Sequence, residues 1–306
     1  MDVALTVDMA ARRGAGHRRT VVLGGGGIFF IAWQVAFLNE LARQGLVLRD
    51  ATRFVGTSAG SIVAAIYTGG GIGRFARTMD VLSRAPGVVA ALAPAGDLSP
   101  SQLRALDSFT TATDCEPETI REIGRAAMAA AAAPASAMRR TARLTIVRRG
   151  WPDRSLAITA VDTYTGERLV IDHRAGVPVA TAAAASGTVP GLFSPQLIHD
   201  RFCMDGGVAG SGIHSDLVAG SQRTLILSLS EAFRALGPRP GGMTQAPGAY
   251  DRELDALRES GTEAFVVGPE TADMTTLMEP RSVPDALAMG TRQARERGRE
   301  LAGFWR

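Results

Sequence analysis

Ser58 stands in the run Gly56-Thr57-Ser58-Ala59-Gly60, behind the short apolar pair Phe54-Val55 and ahead of Ser61-Ile62-Val63-Ala64-Ala65-Ile66-Tyr67. A serine in a Gly-x-Ser-x-Gly turn between a strand and a helix is held on a sharp corner, its hydroxyl lifted out of the sheet toward a substrate carbonyl. The flanking glycines lack a Cβ and so permit the tight backbone such a corner needs. A helix starting at Ala59 aims its N-terminal N–H groups and the positive end of its dipole at the same spot. Serine is also a good N-cap, which is the simpler role for this position.

About thirty residues earlier lie four glycines, Gly24 to Gly27, at the end of the apolar run Val21-Val22-Leu23. A dinucleotide-binding fingerprint requires G-x-G-x-x-G, and in either register Phe29 or Phe30 occupies the third glycine position. No lysine follows to make a P-loop; all 33 basic residues are arginine. Acyl transfer asks only for two unencumbered N–H groups beside the Ser58 oxygen, which Gly25, Gly26 or Gly27 can supply together with Ala59. A plain tight turn is the alternative for the same glycines.

A serine nucleophile needs a base. The absence of lysine excludes a Ser-Lys dyad and Schiff-base chemistry. Of the four histidines, His17 falls in an N-terminal stretch, and His173 and His199 fall in polar loops. Only His199 and His214 come late enough for a Ser-acid-His order, and Ser58 comes early for an α/β-hydrolase. The carboxylate candidate is Asp205, in Arg201-Phe202-Cys203-Met204-Asp205-Gly206-Gly207-Val208, at the end of an apolar strand. Two following glycines leave it little crowded, although an Asp there is also a natural Asx-turn residue.

These residues require a scaffold of strand, glycine turn and helix, and that unit occurs twice between Val21 and Gly71, the pattern of a parallel α/β sheet. Helical spacing of Ile28, Ile31, Ala32, Val35, Leu38 and Leu41 predicts a helix stopping near Gly45. Residues 72–147 are rich in alanine and arginine, with breaks at Pro86, Pro94, Pro100, Pro117 and Pro134, and read as a helical insertion. Strands are predicted at 155–161 and 168–172 around a hairpin-like connection at Thr165-Gly166, and at 223–230 and 264–267. A short helix is predicted over Val179–Ala185 and a long one over Ser282–Phe304, with a surface loop from Leu236 to Gly248 between them.

At 306 residues, 46% apolar and 21% charged, the chain can bury a sizeable core. Residues 1–18 are expected to be a loose tail and 19–306 a single domain. A net charge of +3 without aromatic-basic interleaving argues against nucleic acid. Cys115 and Cys203 show neither disulfide nor metal spacing, so no metal and no cofactor are expected. The first residues lack an apolar run of signal-peptide type, no stretch reaches about 20 uncharged apolar residues, and the expected location is cytoplasmic. Arg139, Arg140, Arg143, Arg148 and Arg149 form a basic stretch, either a solvated face or a peripheral contact with anionic head groups.

Together, the glycine run, the serine turn and Asp205-Gly206-Gly207 resemble the patatin-like phospholipase family, whose motifs are G-G-G-x-[RK]-G, G-x-S-x-G and D-G-[GA]. Ala185-Ser186 with Pro190 and Phe193 resembles its A-S-x-x-x-P-x-x-F stretch, and Asp162-Thr163-Tyr164-Thr165-Gly166 its usual hairpin. The resemblance implies a three-layer α/β/α fold with a mostly parallel sheet, the helical insertion covering or bordering an acyl site. It implies Ser58 as nucleophile, Asp205 as base, and an oxyanion hole from Gly25, Gly26, Gly27 and Ala59, acting on lipid acyl esters. Where the family has Arg or Lys and then Gly, this chain has Phe29 and Phe30, and Ala36 stands where glycine is common. That departure motivates the alternative of a catalytically weak member that binds lipid or a protein partner.

Overall fold

In a computed structural model of the chain, the two apolar runs that feed the glycine turns lie side by side as parallel strands. The structure describes residues 1–4, 7–84, 97–148, 150–152, 155–235, 248–272 and 276–306. Among them, nine strands form one mixed sheet: β1 (Asp2–Ala4), β2 (Arg19–Leu23), β3 (Arg53–Gly56), β4 (Leu156–Asp162), β5 (Arg168–Ile171), β6 (Gln196–Ile198), β7 (Arg201–Asp205), β8 (Arg223–Leu227) and β9 (Glu263–Val267). The centre, in the order β4-β3-β2-β8-β9, is parallel throughout, and β1, β5, β6 and β7 add antiparallel pairs on one flank.

The central strands are apolar on both faces because helices cover both. Alternate residues divide cleanly. Val21, Leu23, Phe54, Leu156, Ile158, Leu225 and Leu227 pack with α1 (Gly27–Arg43), α2 (Ala59–Thr68), α3 (Ile72–Ser83) and later helical residues, among them Val179 and Leu301. Val22, Val55, Ala157 and Ile226 pack instead with Tyr250, Leu254 and Leu257 and with the turn around Leu217. The layers are therefore α/β/α. The period-two alternation that serves two helical layers is the reason Val22 and Leu23 enter different cores.

Three prolines read as breaks prove to be helix starts. Pro100 and Pro117 occupy the first turns of α4 (Pro100–Thr110) and α5 (Pro117–Ala129), and Pro134 precedes α6 (Ala135–Thr145). Proline fits there because the first helical N–H groups have no partner within the helix. Ser99 and Gln102 close a reciprocal capping box on α4. Phe109, Ile120, Ile123 and Ala127 of this insertion pack on Val161, Met204 and Val208, so it borders the Asp205 end of β7. Pro86, Pro94 and almost all of the proposed loop 236–248 lie outside the described residues. In the basic stretch Arg139 donates to Gln196, Arg140, Arg143 and Arg148 are exposed, and Arg149 is outside the described residues.

Downstream, α7 (Val179–Ser186), α8 (Leu229–Ala235), α9 (Ala249–Glu259) and α10 (Val283–Trp305) complete the helices described. The strand expected over 223–230 ends at Leu227, and helix α8 follows at once. The first eighteen residues, expected to be loose, are in part tied down. Strand β1 pairs with β5, and the Gly14 N–H donates to Ala219 O at 2.8 Å. An otherwise open sheet edge at β5 offers the backbone partners that recruit such a segment. No described helix is long and apolar enough to cross a membrane.

Register sets the level at which each turn leaves the sheet. Leu23 faces Gly56 on one side and Leu227 on the other, and Gly56 faces Ile158. Helix α2 begins so close to β2 that a Cβ on Gly60 would overlap the Leu23 carbonyl oxygen. Gly60→Ala is expected to lower stability by about 1–3 kcal/mol through forced backbone displacement. Urea denaturation reads it as a lower midpoint at unchanged slope; a wild-type midpoint would show that this approach relaxes freely.

Candidate active site

Ser58 sits at the junction of β3 and α2 with φ 51° and ψ −119°, a left-handed conformation that an L-residue adopts only when its surroundings impose it. The imposition is visible on both sides. A Cβ at Gly56 would come within 2.7 Å of Ser61 Cα, and Gly60 is pressed on β2 as described. The Ser58 N–H donates to Ser186 Oγ at 2.8 Å, and its carbonyl accepts from Ser61 Oγ at 2.6 Å. Ser58 occupies the N-cap position of α2, yet its side chain makes no capping bond. The hydroxyl donates instead to Asp205 Oδ2 at 2.7 Å.

Asp205 reaches Ser58 because of how β4 is paired. Strand β3 pairs with residues 156–158 of β4 and stops at Gly56; β7 then takes the same edge of β4, where Asp205 faces Ala160. Ser58 is two residues beyond Gly56, and Ala160 two beyond Ile158, so the ends of β3 and β7 meet at one level. The Asp205 N–H donates to Thr188 O at 2.9 Å. Its Oδ1 accepts the Gly207 N–H at 2.8 Å while Oδ2 takes the Ser58 hydroxyl. The Asx turn and the contact with serine thus coexist, one on each carboxylate oxygen. Gly206 is wedged against β4, where a Cβ would lie 2.5 Å from Thr159 Oγ1, and Thr159 in turn bonds Thr57 Oγ1 at 2.8 Å.

Asp205 is 3% exposed. Burial is the largest influence on it and raises its pKa to about 6, against the lowering effects of the Ser58 hydroxyl and the Gly207 N–H. An ionised form at neutral pH is therefore retained at a cost.

Gly25 lies against the serine: a Cβ there would be 3.1 Å from Ser58 Cβ. Gly26 has φ 156° and Gly27 φ 65°. Among the described residues the N–H groups of Gly25, Gly26 and Ala59 have no backbone acceptor. The loop is braced from elsewhere. The Gly24 N–H donates to Leu227 O, Gln34 Nε2 donates to Gly24 O at 2.9 Å, and the Phe29 N–H donates to Leu277 O at 3.1 Å. Phe30 packs directly against the turn: a Cβ on Gly26 would lie 2.7 Å from Phe30 Cβ. Phe29 and Phe30 are buried, and Phe30 stacks on Trp33 at 5.4 Å, which stacks on Phe37 at 5.1 Å.

None of the four histidines bonds Ser58 or Asp205 among the described contacts. His17 bonds Thr52, His199 bonds Ala175 O, and His214 bonds Gly206 O and Arg168. Among the described residues no group of three or more His, Cys, Asp or Glu side chains is arranged to hold a metal ion. Ser186, Gln34 and Thr159 are supporting residues that sequence reasoning did not assign to the site. Ser186 and Thr159 come to it from more than a hundred residues away; Ser186 is marked by its Ala-Ser…Pro…Phe stretch, whereas Thr159 has no local signal.

The layered fold and its serine turn define an α/β/α class, and the family follows from comparison. Residues 21–214 match the family model described as patatin-like phospholipase, and the chain belongs to that family, one of lipid acyl hydrolases. No curated protein sequence matches the chain. Similar solved structures include VipD from Legionella pneumophila, 12% identical with a TM-score of 0.43, covering 97% of this chain and 70% of that one. The type III effector protein ExoU is 17% identical with a TM-score of 0.35, covering 92% of this chain and 53% of that one. ExoU in its heterodimeric complex with SpcU from Pseudomonas aeruginosa gives 17% and 0.34, with 90% and 51% covered. The chain thus spans about half the length of the ExoU chains it resembles.

A folded carboxyl raised from 3.8 to about 6 favours the folded state at low pH. That advantage is full below 3.8 and is lost as pH rises through about 6, amounting to about 3 kcal/mol. Asp205→Asn is therefore expected to be more stable than wild type at pH 7.5, by up to that amount, and to lose the gain at pH 4. Paired urea titrations at the two pH values measure the difference; equal stability at both would contradict the buried charge.

Proposed function

We propose that the protein hydrolyses lipid acyl esters through a Ser58–Asp205 dyad, on the strength of the 2.7 Å hydrogen bond from Ser58 Oγ to Asp205 Oδ2. Ser58 Oγ attacks the ester carbonyl and its proton passes to Asp205. The carbonyl oxygen, now negative, is held by N–H groups of Gly25, Gly26 or Gly27 with Ala59. As the intermediate collapses, Asp205 returns the proton to the departing alcohol, leaving an acyl-serine. Water then gives a proton to Asp205 and attacks the acyl carbon; the proton returns to Ser58 as the fatty acid leaves.

A single carboxylate serves both as base and as acid when its pKa lies near the working pH, and burial brings Asp205 toward that value. The N–H groups of Gly25, Gly26 and Ala59, without a backbone acceptor among the described residues, favour this reading over a catalytically weak binding protein. So does the burial of the Phe29 and Phe30 rings within the core, where Phe30 packs on Gly26 but offers no acceptor for its N–H. The expected setting is cytoplasmic, without metal or cofactor.

With a p-nitrophenyl acyl ester, Ser58→Ala and Asp205→Asn are each expected to lower kcat on the order of 10³-fold or more. Wild-type rates in the Ser58 variant would sink the assignment. Because the base must be ionised, kcat/KM is expected to rise with pH through about 6 and to level off above it. A pH profile flat between 5 and 7 would exclude Asp205 as the titrating base.

A further inference from the structure

Behind Asp205 lies a buried charged cluster that the proposed reaction does not use. Arg168 on β5 is fully buried and forms a bidentate pair with Asp216, Nη1 to Oδ1 at 2.8 Å and Nη2 to Oδ2 at 2.7 Å. Its Nη1 also lies 3.1 Å from Nδ1 of His214, a fully buried residue with φ 57°. The other ring nitrogen, Nε2, lies 2.8 Å from the Gly206 carbonyl oxygen. Glu253 of α9 approaches the same cluster beside Ser211 and Ser215.

A guanidinium has donors only, so the ring nitrogen that faces Arg168 must be the acceptor. That assigns the proton to Nε2, which then donates to Gly206 O. The charged groups that act on the ring are Arg168 from β5 and Asp216 from the neighbouring turn, and Glu253 of α9 acts on those two in turn. Burial first, and then Arg168, hold the imidazole well below its ordinary pKa, at about 3, so it is neutral across the physiological range.

The Gly206 carbonyl and the Gly207 N–H belong to one planar peptide unit. His214 holds that unit by its oxygen, and Asp205 Oδ1 holds it by its N–H. We propose that His214 is a positioning residue: as the neutral Nε2–H tautomer set by Arg168, it fixes the Gly206–Gly207 peptide so that Asp205 Oδ1 is engaged and Oδ2 is aimed at Ser58. Arg168 and Asp216 act one step further back, as the pair that orients the ring. The catalytic consequence rests on the Ser58–Asp205 reading above; the tautomer and the clamp do not.

The test pairs His214→Phe, which removes both ring contacts, with His214→Gln, which keeps an N–H at comparable reach. For His214→Phe, kcat is expected to fall about 10–10²-fold with KM within about twofold, the pattern of a misaimed base rather than lost binding. The acid limb of the pH profile is expected to move upward, because the Gly207 N–H that lowers the Asp205 pKa is no longer held. His214→Gln is expected to recover kcat to within about fivefold. Unchanged kcat and an unchanged acid limb in a folded His214→Phe protein would overturn the proposal. In Ser58→Ala protein, ring ¹⁵N shifts should report the Nε2–H tautomer from pH 5 to 8, and amide exchange at Gly207 should speed up on adding His214→Phe and return with His214→Gln. A ring that titrates in that range, or carries its proton on Nδ1, also overturns it, whether or not the protein proves to be a hydrolase.

Discussion

One edge of β4 is shared by two strands of opposite direction, and the site exists because of that sharing. Strand β3 pairs with the first half of the edge and ends at Gly56; β7 pairs with the second half and ends at Asp205. The backbone hydrogen bonds of a ladder hold register firmly when both faces of the sheet are buried, since a one-residue slip would turn every side chain to the wrong layer. Ser58 and Asp205, 147 residues apart in sequence, are thereby set within 2.7 Å of each other. The same register brings the Gly24–Gly27 loop to the serine, because β2 runs parallel to β3 and leaves the sheet one residue past Leu23.

Holding these groups in place costs stability in three ways. Ser58 is kept at positive φ, Asp205 is buried with its charge, and the fully buried Arg168–Asp216 pair sits next to a neutral histidine. Strain and desolvation persist only where the surroundings over-determine the geometry. Here the surroundings are close backbone approaches at Gly56, Gly60 and Gly206, hydrogen bonds to Ser186 and Thr188, and one from Gly207. The oxyanion candidate loop follows the same logic. Without a basic residue after the glycines, Gln34, Leu227 and Leu277 supply its braces, and the two phenylalanines become core residues of α1, Phe30 packed on Gly26.

Much of this was legible in the linear chain. The Gly-x-Ser-x-Gly turn, the glycine run and Asp205-Gly206-Gly207 each carry a local conformational demand that glycine meets, so their types and neighbours announce them. Helix spacing from Ile28 to Leu41 and the Ala-rich run at Val179 matched α1 and α7 closely. Other features had no such mark. The N-terminal residues 2–4 belong to a stretch expected to be a loose tail and become a strand because β5 offers its edge. The helix Ala249–Glu259 starts just past the Gly/Pro-dense stretch that ends at Gly248, where no element is expected from the sequence. Among the histidines, His214 was weighed as a triad member because of its order in the chain; its partners are instead Arg168 and Gly206.

The sequence by itself determined the alternation of strands and helices, the two sharp turns and the candidacy of Ser58 and Asp205 for acyl chemistry. Those properties depend on residues within a few positions of each other, where backbone preference and period are decided. Which oxygen of Asp205 meets Ser58, which residues brace the glycine loop, and whether His214 serves the serine or the aspartate turn were decided only by tertiary structure. Each depends on strand register and on buried partners 8 to 147 residues distant in sequence, and no local pattern encodes a contact whose two halves are brought together only by the closing of the sheet.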